Sequence, residues 1–388
     1  MAGFSSQDDL INQITTNGKF FRSDWNKLMN PTAAAVAGEW HSLARGAGSP
    51  PADAIFNAGT ALVQQQVFDQ TTSGGSMPHG GNVASAGDGY KVALNAAAFS
   101  AAATTMPAVL MLVDVLAFYR VTSVITTTAQ TCINSNTFTA SSSSGILLTY
   151  TNDFNNLSKV RFTNSGGPLP TGLTAGTDYW LIRVSATTAR VATTLANAIA
   201  GTAISFTDAG TGTHTVTLRW PRYTDGAGVQ AFMFNSNATA LGAGTPNLTL
   251  PSYTNAAGTA SRATPSTPSP PIGKTAASNS HILYSGATGT GKMGPFLPLQ
   301  ATDTGIQSIQ TIQNSTSYVS GEYSVAVCKP ILDIPLTTLG VAGEREFASQ
   351  LPSFPRVYDG AALYWLLYSG AATPANSAFY GRVDFGWS

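Results

Sequence analysis

The chain has 388 residues, of which 43% are hydrophobic and only 10% are charged, against about 25% charged residues in an ordinary soluble domain. Its 19 basic and 19 acidic residues cancel, which excludes a basic field that would attract nucleic acid or an anionic membrane. With so little self-repulsion the chain is suited to permanent assembly. Its length is enough for about two or three domains.

The first predicted element is an amphipathic helix near the N-terminus. Ser6 and Asp9 have the spacing of a capping box, Leu10 and Ile14 lie on one helical face, and Gly18 can end the helix.

A second short helix is predicted over residues 23–29, through Trp25, with Pro31 ending it. Together the two helices make residues 1–30 an N-terminal helical segment.

Most of the remaining chain predicts β-strands, because runs of alternating apolar residues are separated by clusters of Gly, Pro, Asn and Ser. The fold class is therefore mainly β, and the uneven spacing and long loops favour a β-sandwich or jelly-roll body. The clearest strands are predicted at 109–124, 229–234, 306–312, 323–331, 361–368 and 380–387.

Residues 137–218 differ from their flanks, because they are dense in Thr, Ala, Ser and Gly and contain short alternating runs such as KVRFT and HTVTLRW. These runs predict a small Ig-like β-sandwich inserted at 132–219 into a discontinuous body of residues 1–131 and 220–388. The Pro-rich stretch 263–273 predicts an extended arm or loop.

Three pieces of the inserted region occur in an order that resembles a small β module of tailed-bacteriophage structural proteins. They are LPTGL at 169–173, AGTDY at 175–179 and GTGTHT at 210–215. The body also resembles a virion protein of these phages in the stretches VLMLVDVLAFYR, PRYTDGAGVQAFMF and FYGRVDFGWS. The resemblance implies a virion component that is made in the host cytoplasm and locked into a symmetric shell or tail.

Within that resemblance, a capsid decoration (cement) protein fits best, because the chain lacks the long charged spine helix of the usual shell subunit. The implied partners are copies of the chain itself, usually as a trimer, and the major capsid protein. A tail or baseplate protein and the major capsid protein itself stay open as alternatives. A virion protein that binds or degrades host-surface glycans is a further alternative, and no nucleic acid or membrane partner is expected.

Three stretches that resemble enzyme motifs are better explained as turns. GATGTGKM at 286–293 lacks the Ser or Thr that follows the lysine of a phosphate-binding loop, and the Gly-Pro pair after it prevents the required helix. MPHGGN at 77–82, with His79, has no GxSxG partner. Asp303 in a DTG tripeptide has no matching second carboxylate. We therefore predict no catalytic residue, no cofactor and no enzyme activity.

Metal-binding and secretion signals are also missing from the sequence. The four histidines are scattered singly, and neither CxxC nor HExxH occurs. The N-terminus predicts no signal peptide, and the longest apolar run, from Pro107, is too short to span a bilayer and carries Asp114. Cys328 predicts a free, half-buried thiol, although a bridge to Cys132 is possible.

Aromatic residues near both ends of the chain are the candidate interaction surface, because aromatic anchors carry much of the binding energy of protein interfaces. The closing strands either fill the body core or pack partly against a neighbouring subunit. The N-terminal segment either seals the body or docks on the shell. The candidate interface residues are Phe20, Phe21, Trp25, Leu28, Tyr358, Trp365, Tyr380 and Trp387.

Overall fold

The computed structural model describes residues 4–29, 37–53, 61–67, 70, 74–80, 91–101, 107–121, 127–141, 147–149, 151, 153–236, 248–265, 281–282, 294–314, 317, 321–347, 355–374 and 376–388. Within these residues the protein is mainly β, as the sequence predicts, with two short helices.

The helices are α1 (Gln7–Thr15) and α2 (Leu195–Ile199). The strands are, in chain order, β1 (Phe20–Leu28), β2 (Glu39–Ser42), β3 (Gly48–Ser49), β4 (Gln65–Gln66), β5 (Lys91–Ser100), β6 (Ala108–Val121), β7 (Gln130–Thr131), β8 (Ser135–Ser141), β9 (Leu147–Thr149), β10 (Lys159–Ser165), β11 (Asp178–Arg183), β12 (Thr188–Ala192), β13 (Thr213–Leu218), β14 (Gln230–Asn235), β15 (Leu248–Asn255), β16 (His281–Ile282), β17 (Ile306–Asn314), β18 (Tyr323–Leu336), β19 (Gly343–Glu346), β20 (Arg356–Val357), β21 (Leu363–Ser369) and β22 (Ala378–Trp387).

The first predicted helix is confirmed as α1, and its cap has the expected chemistry. The Ser6 hydroxyl accepts a hydrogen bond from the backbone N–H of Asp9 at 3.0 Å. The Asp9 carboxylate in turn accepts from the backbone N–H of Ser5 at 2.8 Å, which lowers its pKa. Leu10 is buried beneath the helix, and Gly18 after it has a left-handed φ of 65°.

The second predicted helix is wrong, because residues 20–28 form strand β1. Its side chains alternate between the core and the other face, with Ser23, Trp25 and Lys27 buried, and the whole strand pairs antiparallel with β22. Trp25 and Leu28 have the spacing of a helical face, but the segment buries every second residue and pairs along its whole length with β22. These two features stabilise the strand.

The body is built around a central sheet with the strand order β18-β14-β16-β2-β21-β6-β4, in which β18 also pairs with β6. Through this additional pairing, six of its strands form a closed ring. The long strands β6 and β18 run antiparallel over residues 108–121 and 323–336. The six strands predicted in the body are confirmed. They are β6, β14, β17, β18, β21 and β22.

Two further sheets pack on the central sheet, which is consistent with a β-sandwich body. The outer sheet has the order β19-β5-β22-β1-β3, with β20 also on β5. It shares a core with the central sheet that contains Trp25, Leu110, Ile334, Trp365 and Phe385. The three-stranded sheet β15-β17-β7 covers another part of the central sheet through a second core. Jelly-roll connectivity remains a prediction.

The strands β8 to β13, from the predicted insertion, form a closed barrel in the order β10-β11-β12-β9-β8-β13. Phe154, Phe162, Leu181 and Val216 fill its core. Because these strands close on one another, the pairing is that of a barrel, and an Ig-like arrangement remains a prediction. The predicted arm at 263–273 lies outside the described residues from position 266 onward.

The barrel is attached to the body next to β4. Val63 and Ile133 form a parallel bridge. The Gln66 side chain accepts from the backbone N–H of Lys159 at 2.8 Å and donates to the carbonyl of Arg219. Gln66 therefore binds the main chain of the barrel where β10 begins and β13 has just ended.

Candidate functional site

The face of the outer sheet that points away from the core carries two neighbouring rows of side chains. Strand pairing aligns Asn26 with Tyr380 and Tyr380 with Phe99 in one row. In the next row Asp24 aligns with Arg382, which pairs with Ala97. Because alternate residues of a strand point to the same face, both rows lie on one surface.

Phe99 and Tyr380 form an exposed stacked pair on this surface. Their ring centroids are 5.3 Å apart at an interplanar angle of 18°, and each residue is 38% exposed. Aromatic rings of this size are usually buried, and an exposed stacked pair is typical of a binding surface.

The pair borders a groove of about 470 Å³, which we call the aromatic groove; it is lined by Asp24, Trp25, Ala97, Ala98, Phe99, Ala342, Glu344, Tyr380, Gly381 and Arg382. Gly381 is required in its floor, because a Cβ there would lie 2.7 Å from the Trp25 ring and 2.5 Å from the Ala97 carbonyl. The loop that ends at Ala342 adds two exposed apolar residues, Leu339 at 45% and Val341 at 58%.

Charged residues of both signs lie on the same face. Arg22 binds Asp384 with two hydrogen bonds of 2.7 and 3.0 Å, and this interaction raises the pKa of Arg22. Arg382 lies 3.6 Å from Glu344. Solvent screens exposed ion pairs of this kind, so their arrangement matters more for the choice of partner than for folding.

The eight candidate interface residues lie in three different environments. Trp25 and Trp365 are each 3% exposed and pack against one another with centroids 4.8 Å apart, and Phe21 is partly buried on the same core. Leu28 is half-buried. Trp25 and Trp365 are therefore core residues of this chain.

The remaining four candidates are more accessible. Tyr380 lies in the aromatic groove, and Phe20 is 38% exposed at the far end of the same face. Tyr358 and Trp387 are half-buried near the N-terminal end of β5, where Trp387 lies 5.5 Å from the Lys91 ammonium. Of the predicted set, Tyr380 and the largely buried Trp25 line the aromatic groove.

Sequence reasoning missed Phe99, Leu339 and Val341. Phe99 is the second-last residue of the run KVALNAAAFS, whose three consecutive alanines hide the alternation of a strand. Ala96 and Ala98 are nevertheless buried against the core, which puts Phe99 on the opposite face. The loop residues gave no periodic signal, although two apolar side chains flanking Gly340 are unusual in an otherwise polar turn.

His79 is a core residue, which the interpretation of its motif as a loop or turn did not predict. It is fully buried, its Nε2 is 3.0 Å from the Ala361 carbonyl, and its Nδ1 is 3.2 Å from the Lys91 ammonium. Burial and Lys91 lower the pKa of His79 to about 3, so the ring is neutral. Residues 81–82 of this motif and the whole of 286–293 lie outside the described residues.

Asp303 joins a turn to strand β15. Its carboxylate accepts from Arg262 at 2.9 and 3.1 Å, from the Tyr253 hydroxyl at 2.6 Å and from Asn255 at 2.7 Å. These bonds, led by that from Arg262, lower the pKa of Asp303 to about 2. A carboxylate so fully occupied is structural.

The turn residues around 171–179 and 208–210 hold one end of the barrel together. The Tyr179 hydroxyl accepts from the backbone N–H of Thr174 at 2.9 Å and lies 3.4 Å from the Gly172 carbonyl. Asp208 accepts from the N–H groups of Thr171 at 3.2 Å and of Gly210 at 2.8 Å. These residues therefore maintain the turn.

Within the described part of the chain, no three potential metal ligands come together. Cys132 and Cys328 are both free and buried, and burial raises the pKa of each thiol. None of the helices in the described ranges is long and apolar enough to cross a membrane.

No protein-family model and no curated protein matches this chain.

Proposed function

We propose that this chain is a non-enzymatic structural component of a tailed-phage virion that decorates and reinforces the capsid. The resemblance of the inserted region and the closing strands to virion proteins supports this role, as does a neutral, weakly charged composition. The observation that carries the proposal is the stacked Phe99–Tyr380 pair, exposed beside the aromatic groove.

The occupant of the aromatic groove is a second copy of this chain. The groove has both an acidic wall, with Asp24 and Glu344, and a basic residue, Arg382. A two-fold related copy can therefore set its acidic groups against the basic group of its partner. A stable interface buries about 800 Å² per partner, so the contact also has to include the loop with Leu339 and Val341.

A glycan-degrading activity at this groove is disfavoured by geometry. Asp24 on β1 and Glu344 on β19 are three strand spacings apart, since β22 and β5 lie between them. At about 4.8 Å per spacing the Cα atoms of the two residues are roughly 14 Å apart, whereas the carboxyl groups of a glycosidase pair are about 5 to 9.5 Å apart.

Sedimentation of the purified chain tests the interface. Phe99→Ala combined with Tyr380→Ala removes both rings, and we expect self-association to weaken at least about thirtyfold, as for loss of an interface hot spot. Phe20→Ala is the matched control, because Phe20 has the same 38% exposure about 20 Å away along β1. Its association constant should stay within about threefold of the parent. A monomeric parent chain, or equal losses in both variants, would contradict the interface.

Fractionation of particles separates the capsid role from its nearest alternative. A decoration protein accompanies isolated heads in many copies, whereas a tail or baseplate protein accompanies isolated tails in few. Finding the chain in tails and not in heads would exclude the capsid role and leave the groove interface to be judged by sedimentation.

A further inference from the structure

The outer face of the barrel carries three basic residues, Lys159, Arg161 and Arg219, which we call the basic cluster. Lys159 and Arg161 lie on β10, and Arg219 directly follows β13. The backbone N–H of Arg219 donates to the Lys159 carbonyl at 2.9 Å, so these two residues are neighbours across the strands. Val160 and Leu218 beside them point into the barrel core. Because alternate strand residues point to opposite faces, the basic side chains point outward.

Asp178 is the carboxylate that the basic cluster shares. It lies opposite Arg161 in the pairing of β10 with β11. Its two oxygens bind the Arg161 guanidinium and, at 2.9 Å, the Lys159 ammonium. Burial opposes ionisation of Asp178, but the hydrogen bonds from Lys159 and Arg161 outweigh burial and lower its pKa. Asp178 is therefore ionised and already paired with two cations.

Arg219, the third cation, has no ion pair of its own within the described residues. Its Nη2 donates to the Thr224 carbonyl at 2.9 Å, and its buried Nε has no hydrogen-bond partner there. Asp225, the next acidic residue along the chain, accepts from the backbone N–H of Ala227 at 3.1 Å and interacts with Lys329. Arg219 therefore retains a hydrogen-bond donor and a positive charge for a ligand.

The positive charge of Arg219 is held at an electrostatic cost. Burial lowers the pKa of Arg219 and the nearby Arg161 lowers it further, while Asp178 opposes the shift. Three positive charges and one negative charge leave the cluster with an excess of two, although the chain as a whole is neutral. A partly buried cation that its neighbours repel, with a donor left over, is typical of an anion-binding site.

The main chain of the basic cluster is fixed by the body. The Gln66 side chain accepts from the backbone N–H of Lys159 at 2.8 Å and donates to the carbonyl of Arg219. The Lys159 ammonium also lies 5.5 Å from the centre of the Trp180 ring. Because these contacts hold the cations in place before a ligand arrives, less conformational freedom is lost on binding.

The excess of two positive charges selects the kind of anion. A phosphate monoester has a charge of about −1.5 to −2 at pH 7 and three acceptor oxygens, whereas a carboxylate or a phosphodiester has a single negative charge. Guanidinium groups also match the oxygens of a phosphate with paired hydrogen bonds. We propose that the basic cluster binds the phosphate group of a phosphate monoester. This site does not depend on the virion role, since a single chain contains all of its residues.

Calorimetric titration of the full chain at neutral pH tests this site with inorganic phosphate and with glucose 6-phosphate. We expect saturable binding of both, with affinities within about threefold of one another, because the phosphate group itself is recognised. Dimethyl phosphate has the same tetrahedral shape but only one negative charge. It should bind at least about tenfold more weakly, and glucose should not bind.

The pH dependence of binding tests whether the dianion is recognised. The second pKa of a phosphate monoester is about 6, so glucose 6-phosphate loses one charge when the pH falls to about 5 and should bind at least about fivefold more weakly. Asp178 stays ionised, because Lys159 and Arg161 lower its pKa. Inorganic sulfate is a dianion at both pH values and should bind with unchanged affinity.

Two variants connect the binding to the basic cluster. Arg219→Gln removes a positive charge without breaking either ion pair of Asp178, and Arg161→Gln removes a charge from the other side of the cluster. Each should weaken glucose 6-phosphate binding at least about fivefold. Arg190→Gln is the matched control, because Arg190 is an exposed arginine of the same barrel on β12, two strands away from β10. It should leave binding unchanged, and thermal unfolding verifies that each variant is folded.

Any of four results would overturn the site: absence of saturable binding of glucose 6-phosphate, equal binding of dimethyl phosphate, the same pH dependence for sulfate as for glucose 6-phosphate, or unchanged affinity in both cluster variants. Binding of glucose 6-phosphate by a chain that is missing from capsids would retain the basic cluster as a site and remove only the decoration role. Capsid association without this binding would do the reverse.

Discussion

Asp114 is fully buried in β6, and two hydrogen bonds from Arg222, of 2.6 and 2.8 Å, hold its carboxylate. The backbone N–H of Ala362 donates a third bond at 2.9 Å. Burial raises the pKa of Asp114, and Arg222 opposes that shift. The pair joins the central sheet to the segment that leaves the barrel, so its loss affects both units.

We predict that Arg222→Met lowers the free energy of unfolding by about 3 to 5 kcal/mol, because it leaves a buried charge without its partner. Adding Asp114→Asn should restore part of this loss, since the amide is neutral and still accepts from Ala362. Urea unfolding of the single and double variants measures the difference. A double variant less stable than Arg222→Met would show that the buried charge is not the cause.

The contribution of Asp303 to the stability of the fold depends on pH. Its folded-state pKa of about 2 is below the unfolded value of about 3.9, so its contribution is complete above pH 4 and is lost as the pH falls towards 2. Asp303→Asn should therefore cost about 1 to 3 kcal/mol at pH 6 and progressively less below pH 4. Unfolding curves of the parent and the variant at pH 6 and below pH 4 measure this cost. A cost that is independent of pH would contradict the prediction.

At the scale of elements, Gln66 connects the body to the barrel through its side-chain amide, which bonds the main chain of Lys159 and Arg219. Gln66→Ala leaves both backbone groups without this partner and should cost about 1 to 3 kcal/mol. Hydrogen exchange should be faster at the Lys159 amide than in the parent chain.

Gln65 is the matched control for this prediction, because it is an equally buried neighbour. Within the described residues its side chain makes one long hydrogen bond, of 3.4 Å to the Val63 carbonyl. Gln65→Ala should leave exchange at Lys159 unchanged. Equal acceleration in the two variants would show that loosening of β4, rather than the Gln66 amide, controls the junction.

Individual elements differ in how well the sequence reveals them. The long strands β6, β18 and β22 are predictable, because their alternating apolar residues lie between clear turn signals. Strand β1 is not predictable, because the sequence FFRSDWNKL fits both a helical face and an alternating strand. Its pairing with β22 decides between the two. β5 is hidden by alanines, whose small side chains leave room for Trp25 and its neighbours in the shared core.

For the whole molecule, a mainly β fold and a distinct region between the body strands could be predicted from composition and turn spacing. The aromatic groove could not be predicted from the sequence. Phe99, Ala342 and Tyr380 come from separate parts of the chain, and strand pairing alone makes them neighbours.

A neutral, weakly charged composition and an exposed aromatic groove suit a chain that is held among many copies of itself. A reconstruction of the intact particle is the most direct test of this account. It predicts density for this chain on the outside of the capsid, with the aromatic groove covered by a neighbouring copy. Density only in the tail, or a capsid-bound chain whose groove faces solvent, would contradict it.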